Sequence, residues 1–451
     1  MSVRRLAAAL LLSGSPACQA AREPIVPTPP EVTRALYAPD PAPAAASELP
    51  SGALDCATIR ERALALSPEV GARAARVREK VALARAAGAQ PPPMVMTQLW
   101  EAPLHKPFVY GDGSMLMLGI SQTFVPRGAR EGEARAMLAE ASGAAAEASA
   151  AALDVRAEVD RGCAELAEAR ARVALLDRRA KLLDGVAEVA RARLATGASG
   201  AADVARVELE RARVDGDRAE LGAREVEARA ALNAQIDRAP DAEITVDGAE
   251  DEPPLEPVAT LTQRAAAERP EGAVRSAMIA RDLARADAAR SMARTPMITV
   301  GINYGLSRPS GMPDTWGATL SMSLPWLSGG AAATEEAARH AAVAAAREGD
   351  GQTRSRRREV IEAHTRAVGL ATRLQTLTTR ALPAARRAAE AVRATYAGGG
   401  SDLSAWLDAL RAEVELDEQA TTLRAELARA RIALDKAVGR TPRAASDRRQ
   451  P

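Results

Sequence analysis

The chain is written twice, and that duplication narrows its possible folds more than any other feature. Ser67-Pro68-Glu69 is matched by Arg269-Pro270-Glu271, and Pro93-Met94-Val95 by Pro296-Met297-Ile298. Phe124-Val125-Pro126-Arg127-Gly128 faces Pro325-Trp326-Leu327-Ser328-Gly329, and Gly197 faces Gly398, all in order and offset by 201 to 203 residues. One unit of about 200 residues used twice replaces the three unrelated domains that 451 residues would otherwise suggest. The copies are placed at 56–239 and 258–441, with an acidic, proline-bearing linker at 240–257. Ahead of them residues 18–55 form a Pro/Ala-rich arm too poor in large apolar residues to fold alone, and 442–451 is expected to be a disordered tail.

Inside each copy the period changes from helical to extended and back. In the second copy Ile298, Val300, Ile302, Tyr304 and Leu306 alternate with Thr299, Gly301, Asn303 and Gly305. After a turn-rich loop, Trp316, Ala318, Leu320, Met322 and Leu324 alternate with Gly317, Thr319, Ser321 and Ser323. The spacing predicts strands at about 297–306 and 316–324, each with one apolar and one small or polar face. The first copy gives strands at about 94–101 and 115–124, the outgoing one less regular. Seven aromatics, Trp100, Phe108, Tyr110, Phe124, Tyr304, Trp316 and Trp326, fall near the ends of these hairpins. That clustering has the form of an interfacial girdle, for which Trp100, Phe124, Tyr304, Trp316 and Trp326 are the candidates.

The remainder reads as helix of unusual length. No proline occurs between Arg127 and Ala239, and Val159, Gly162, Leu166, Ala169, Val173, Leu176, Ala180 and Leu183 recur at spacings of three and four. This heptad seam, rich in small residues, predicts roughly 100 Å of closely packed helix. In the second copy Gly349-Asp350-Gly351 and Pro383 predict a break and a kink.

Composition removes most other functions. Sixty basic residues balance 59 acidic ones, so no summed field draws the chain to nucleic acid. With aromatics at 2% against 47% apolar content, long alanine-rich helices suit the sequence better than a broad core of rings. Three histidines and three cysteines are scattered, leaving no convergent catalytic set; no enzyme, no cofactor and no metal site is expected. His105, His340 and His364 lack partners at ligand spacing and read as surface or loop residues. Met94, Met96, Met115 and Met117 crowd the first hairpin; soft thioethers suit Cu(I), but packing between strands explains them more simply. Cys56 and Cys163 both sit in helical patterns, and two unpaired thiols are expected.

Residues 1–17 have the charge, apolar core and small-residue layout of a secretory signal. Ser15-Pro16-Ala17-Cys18 resembles a lipobox, which makes Cys18 the candidate lipidation site; the alternative is an ordinary signal with an incidental cysteine. No later segment offers 18 consecutive apolar residues, so any membrane crossing must be made by strands. Four strands cannot close a barrel, and an open edge in lipid leaves backbone groups unpaired at several kcal/mol each. Membrane strands therefore demand oligomerisation.

Signal, helix pair, hairpin, very long helix, glycine turn and returning helix, then the same again, resembles the TolC-like outer-membrane efflux protein family from about Cys56 to Thr441. Leu324-Pro325-Trp326-Leu327-Ser328-Gly329-Gly330 is similar to its strand-to-helix signature. Tyr396-Ala397-Gly398 followed by Leu403-Ser404-Ala405-Trp406-Leu407-Asp408-Ala409 is similar to its tip turn and returning helix. Gly119-Ile120-Ser121-Gln122-Thr123-Phe124-Val125-Pro126-Arg127-Gly128 resembles the heavy-metal, RND-associated lipoprotein branch, although drug-exporting relatives share much of it. The resemblance implies a mostly α fold: duplicated helical hairpins forming a periplasmic α-barrel, plus two β-hairpins per chain in a trimeric twelve-stranded barrel. It further implies a homotrimer in the outer membrane of a Gram-negative cell, extending into the periplasm. Its partners would be outer-membrane lipid, a periplasmic adaptor and an inner-membrane pump of RND or ABC type.

On this reading the chain is a passive exit duct for small molecules or metal ions. The rivals are the outer-membrane component of type I protein secretion and, from another class, an exported coiled-coil scaffold. Gly197 and Gly398 end the long helices, and left-handed caps would let the chain reverse there. The exposed turns, Thr196, Gly197, Ser199 and Gly200 with Gly398, Gly399, Gly400 and Ser401, are candidates for adaptor docking, or serve only to turn the chain. Asp203 and Asp402 are candidates for an acidic aperture ring, against the plainer reading of acids complementing a helix start.

Overall fold

The computed structural model describes residues 26–37, 52–100, 115–197, 199–246, 254–307, 313–327, 329–398, 400 and 402–440. Residues 1–17, Cys18, His105, Phe108, Tyr110, Gly399, Ser401 and the 442–451 tail lie outside them. The elements are α1 (Pro30–Tyr37), β1 (Leu54–Asp55), α2 (Cys56–Leu66), α3 (Pro68–Gly88), β2 (Met94–Trp100), β3 (Met115–Phe124), α4 (Arg127–Ala195) and α5 (Ala201–Ala234). After β4 (Ile244–Thr245) the second copy repeats the order with α6 (Val258–Glu268), α7 (Pro270–Arg294), β5 (Ile298–Ser307), β6 (Thr315–Met322) and α8 (Gly330–Thr376). A π-helical stretch (Leu377–Ala381), α9 (Leu382–Ala397) and α10 (Leu403–Val438) complete it. No helix among the described residues is long and apolar enough to cross a membrane.

The chain divides into two compact units: residues 1–38, 72–148 and 273–351, and residues 39–71, 149–272 and 352–451. The first holds a four-stranded antiparallel sheet in the order β2-β3-β5-β6. The two hairpins read from the sequence thus pair with each other through β3 and β5. Val32 of α1 is fully buried among Val77, Val81, Ala84, Leu138 and Ala141. Gly132 lets helices approach closely, because a Cβ there would come within 2.8 Å of the Ala288 backbone. The break expected at Gly349-Asp350-Gly351 is absent, since α8 runs unbroken through it. Gly349 is small because Arg275 of α7 lies against it and donates to its carbonyl, leaving no room for a side chain.

The second unit is stapled near its start. Cys56 opens α2, Cys163 lies within α4, and the two form a disulfide with Cα atoms 6.4 Å apart across 107 residues of sequence. The expectation of two unpaired thiols is corrected. A helical pattern says nothing against pairing when both cysteines face one core, here Leu54, Ile59, Ala63, Val159, Leu166, Leu232, Ile236 and Ile244. β1 and β4 form a short parallel bridge in the same core, so the stretch expected to be a bare linker contains a strand of the first repeat. The corresponding core of the second copy joins Leu261, Ala265, Val360, Leu434, Ala437 and Val438.

Pro383, expected to kink its helix, follows the π-helical stretch. Its ring would crowd the carbonyl four residues back, and the wider π turn makes room for it. The first copy has no such interruption: α4 is one helix of 69 residues.

Candidate functional site

Two regions bring the candidate residues together, one in each unit. In the first, strand register sorts the sheet into two faces. Val95, Leu99, Leu116, Leu118, Ile120, Phe124, Ile298, Val300, Ile302, Tyr304, Leu306, Trp316, Leu320 and Met322 share one face. Most of these are exposed, Trp316 and Leu320 at 75% of their full surface. An exposed apolar band this broad is the form of a surface that meets lipid or another protein. The opposite face carries Gly119, Ser121, Thr123, Thr299, Gly301, Asn303, Gly305, Thr315, Gly317, Thr319 and Ser321, joined by Gln98, Trp100 and four methionines. No ionisable side chain lies on this polar face among the described residues. Among the described residues β2 and β6 each pair on one side only, leaving two open edges.

Of the five girdle candidates, Phe124, Tyr304 and Trp316 lie on the apolar face, and Tyr304 donates its hydroxyl to Asp314 at 2.6 Å. Trp326 follows β6 in a single 3₁₀ turn and is exposed. Trp100 lies on the other face. It pairs with Met115 on the polar face, because it falls an even number of residues from Met94 and Met96. Aromatic identity alone does not report which way a strand side chain points.

The second region surrounds the two glycine turns. Gly197 has φ +74°, the left-handed cap expected of it, whereas Gly398 ends α9 at φ −81°, and its left-handed cap is corrected. The chain leaves α9 by a bond from the Gly400 N–H to the Thr395 carbonyl at 2.9 Å instead. Thr196, Gly197, Gly200, Gly398 and Gly400 are exposed, and Ser199 is half-buried. Asp203 lies in the first turn of α5, where a carboxylate complements the helix dipole. Asp402 caps α10 by accepting from the Ala405 N–H at 2.8 Å, so one of its oxygens is engaged in holding the helix start.

Behind the turns sits a cluster that sequence reasoning did not assign. Tyr396, 2% exposed, packs against Trp406 with ring centroids 5.3 Å apart and the rings tilted by 39°, and the Arg193 guanidinium lies 4.5 Å over the Tyr396 ring while donating to its carbonyl. Burial raises the Tyr396 hydroxyl above its ordinary pKa, with Arg193 opposing and Asp203 assisting. Leu403, Leu407, Val207, Leu183 and Val186 complete this core. One helical turn further, the buried Glu210 carboxylate receives Arg213 at 2.8 Å and Arg411 at 2.9 Å, with Arg179 at 3.5 Å. The available signal was rarity: in a chain with ten aromatics, Tyr396 and Trp406 flank one glycine turn.

No group of His, Cys, Asp and Glu among the described residues is placed to hold a metal. His340 is an exposed side chain beside Glu336, and the His364 ring nitrogen lies 3.1 Å from the Glu256 carbonyl.

Residues 261–440 match the family model described as outer membrane efflux protein. Among curated proteins none matches the chain in sequence. Among solved structures, the outer-membrane channel OprN is 20% identical, covers 85% of this chain and 89% of its own, and superposes with a TM-score of 0.68. CusC, solved in a study of folding and transmembrane channel formation, is 17% identical over 86% of this chain and 92% of its own, TM-score 0.70. The outer membrane protein VceC from Vibrio cholerae is 19% identical over 85% and 96%, TM-score 0.67. At these identities the likeness is one of fold.

Proposed function

We propose that this chain, whose residues 261–440 match the outer membrane efflux protein family model, is the exit duct of a tripartite efflux system. In that role it passively conducts what an inner-membrane transporter and a periplasmic adaptor deliver. The observation that carries the reading is the two-faced sheet, apolar and exposed on one side, uncharged and hydrophilic on the other, with both edges open. Lipid suits the first face and a water-filled lumen the second. The open edges set the stoichiometry problem, since backbone groups in hydrocarbon must be paired. Three copies pairing β6 of one with β2 of the next close a twelve-stranded barrel, and a homotrimer is the assembly proposed here.

The long helices then form the periplasmic tunnel, and the turns around Gly197 and Gly398 meet the adaptor. Asp203 and Asp402 contribute acidic groups near the aperture, Asp402 with the oxygen left free by its cap. Phe124, Tyr304, Trp316 and Trp326 sit toward the membrane interfaces, and Cys18 carries an acyl anchor. An exported scaffold would have no use for Leu320 and Trp316 exposed as they are.

The test is fractionation of the full chain. The expected result is outer-membrane location and a detergent-stable trimer, with Ile302→Arg lowering trimer recovery because a cation facing lipid near mid-depth costs about 2–4 kcal/mol per copy. Recovery as a soluble periplasmic monomer, or indifference to Ile302→Arg, would overturn the reading. In the same trimer, Gly398→Arg separates docking from assembly by reducing export with the oligomer intact.

A further inference from the structure

We propose that Met94, Met96, Met115 and Met117 form a binding stripe for soft monovalent cations, Cu(I) or Ag(I), on the polar face of the sheet. The register places all four there: Met94 opposite Ser121, Met96 opposite Gly119, Met117 opposite Gln98 and Met115 opposite Trp100. Met96 and Met117 are diagonal neighbours on adjacent strands, about 7–8 Å apart at Cα, and Met94 and Met96 are about 7 Å apart along one strand. Each thioether swings on three rotatable bonds, so two or three sulfurs can converge on one ion.

Packing alone accounts poorly for this placement. Met94 is 59% exposed and Met96 48%, on a face whose other side chains, Trp100 apart, are glycine, hydroxyl and amide. The second hairpin, the other copy of the same repeat, carries Thr299, Gly301, Asn303 and Gly305 with Thr315, Gly317, Thr319 and Ser321 on that face, and no thioether. A requirement shared by the whole face would put methionine in both hairpins. Glycines also seat two of the side chains: a Cβ at Gly119 would meet Met96 Cγ at 3.1 Å, and one at Gly305 would meet the Met115 sulfur at 2.5 Å. The Met115 sulfur accepts a weak hydrogen bond from Thr315 Oγ1 at 3.6 Å, which keeps it at the surface of the face.

The chemistry selects the ligand class. Hard cations need carboxylate or several oxygen ligands, and the described face has no carboxylate, whereas neutral thioethers prefer Cu(I) and Ag(I). Neutral sulfur also holds such ions without fixed charge, which suits a site that must release as well as take up its ion. That the stripe lines a passage rests on the duct reading above. Binding itself rests only on the sheet.

Silver is the probe because it needs no reductant. The purified full chain in detergent, in chloride-free buffer, is titrated with silver nitrate by calorimetry, with bound silver counted by mass spectrometry after dialysis. The expected result is saturable silver binding that weakens at least tenfold when Met94, Met96, Met115 and Met117 are all changed to leucine. Leucine preserves volume, and trimer yield in detergent reports folding separately. Met278→Leu, on a helix, should leave the titration unchanged, and magnesium should give no heat. Equal silver binding by the fourfold leucine variant, or none by the unmodified trimer, would overturn the stripe and leave the duct reading standing. Absence of any trimer would instead remove the duct.

Discussion

The two copies of the repeat close the same corner by different means. In the first, Cys56 and Cys163 join α2 to α4 covalently. The residue 201 positions beyond Cys163 is His364, and its ring nitrogen makes a hydrogen bond with the Glu256 carbonyl, just ahead of α6. Helix starts differ likewise: the Asp55 side chain caps α2 by accepting from the Thr58 N–H at 2.9 Å, while Pro257 precedes α6 with no side-chain cap. The long helices carry the contrast onward. Val159, Leu166 and Leu176 are buried at the positions matching buried Val360, Ala367 and Leu377, an offset of 201. Beyond the π-helical stretch the match moves to 202, pairing Ala180 with Leu382 and Ala187 with Ala389. The π turn is therefore one inserted residue in the second of two halves built to one plan.

The largest test of that contrast is the staple. Cys163→Ser should lower unfolding free energy by about 4 kcal/mol, since the cross-link closes a loop of about a hundred residues. Denaturant unfolding followed by circular dichroism measures this, and a reductant should reproduce it in the unmodified chain. The counterpart His364→Ala should cost only about 1 kcal/mol. Equal losses would erase the difference between the copies.

A sharper comparison sits at the turns. Gly197→Ala forces a side chain into φ +74° and should cost about 1–2 kcal/mol. Gly398→Ala should stay within about 0.5 kcal/mol, because its backbone is right-handed and an added Cβ would meet nothing closer than the Ala394 carbonyl at 3.6 Å. Melting temperatures of the two variants decide it.

The helix caps differ in their response to pH. The Thr58 side chain and N–H hold the Asp55 carboxyl below its usual range. A depressed folded value contributes stability above the unfolded pKa and loses it as pH falls through the folded one. Asp55→Ala should therefore cost about 1 kcal/mol at pH 7, and the two proteins should converge as pH falls through the lowered Asp55 value. Changing Pro257 should introduce no such pH dependence.

Much of the architecture was legible because it is periodic. Alternation at Ile298–Leu306 and Trp316–Leu324 located strands that the structure has at Ile298–Ser307 and Thr315–Met322, and the proline-free stretch after Arg127 gave α4. What escaped depends on contacts distant in sequence. Nothing near Cys56 or Cys163 announces a partner 107 residues away. Gly349 reads locally as a helix breaker, and only Arg275 explains why the helix continues. In the first hairpin methionine counts as apolar on either face, so the alternation of β2 blurred and the sequence did not say which side Trp100 takes. At the tip, glycine and aspartate are visible turn signals, but the Tyr396–Trp406 contact exists only once two helices are laid side by side.

The parallel bridge between β1 and β4 ties Ile244 and Thr245 to the start of the first copy. Ile244 is fully buried beside Leu54, the Leu54 N–H bonds to the Glu243 carbonyl, and Arg238 reaches the Gly52 carbonyl. A fragment cut at Ala239, where composition changes, would leave a hole in its own interior and strip the partner from its first strand. An excised half has to carry its tail as far as Val246, and the two copies are best separated after that residue.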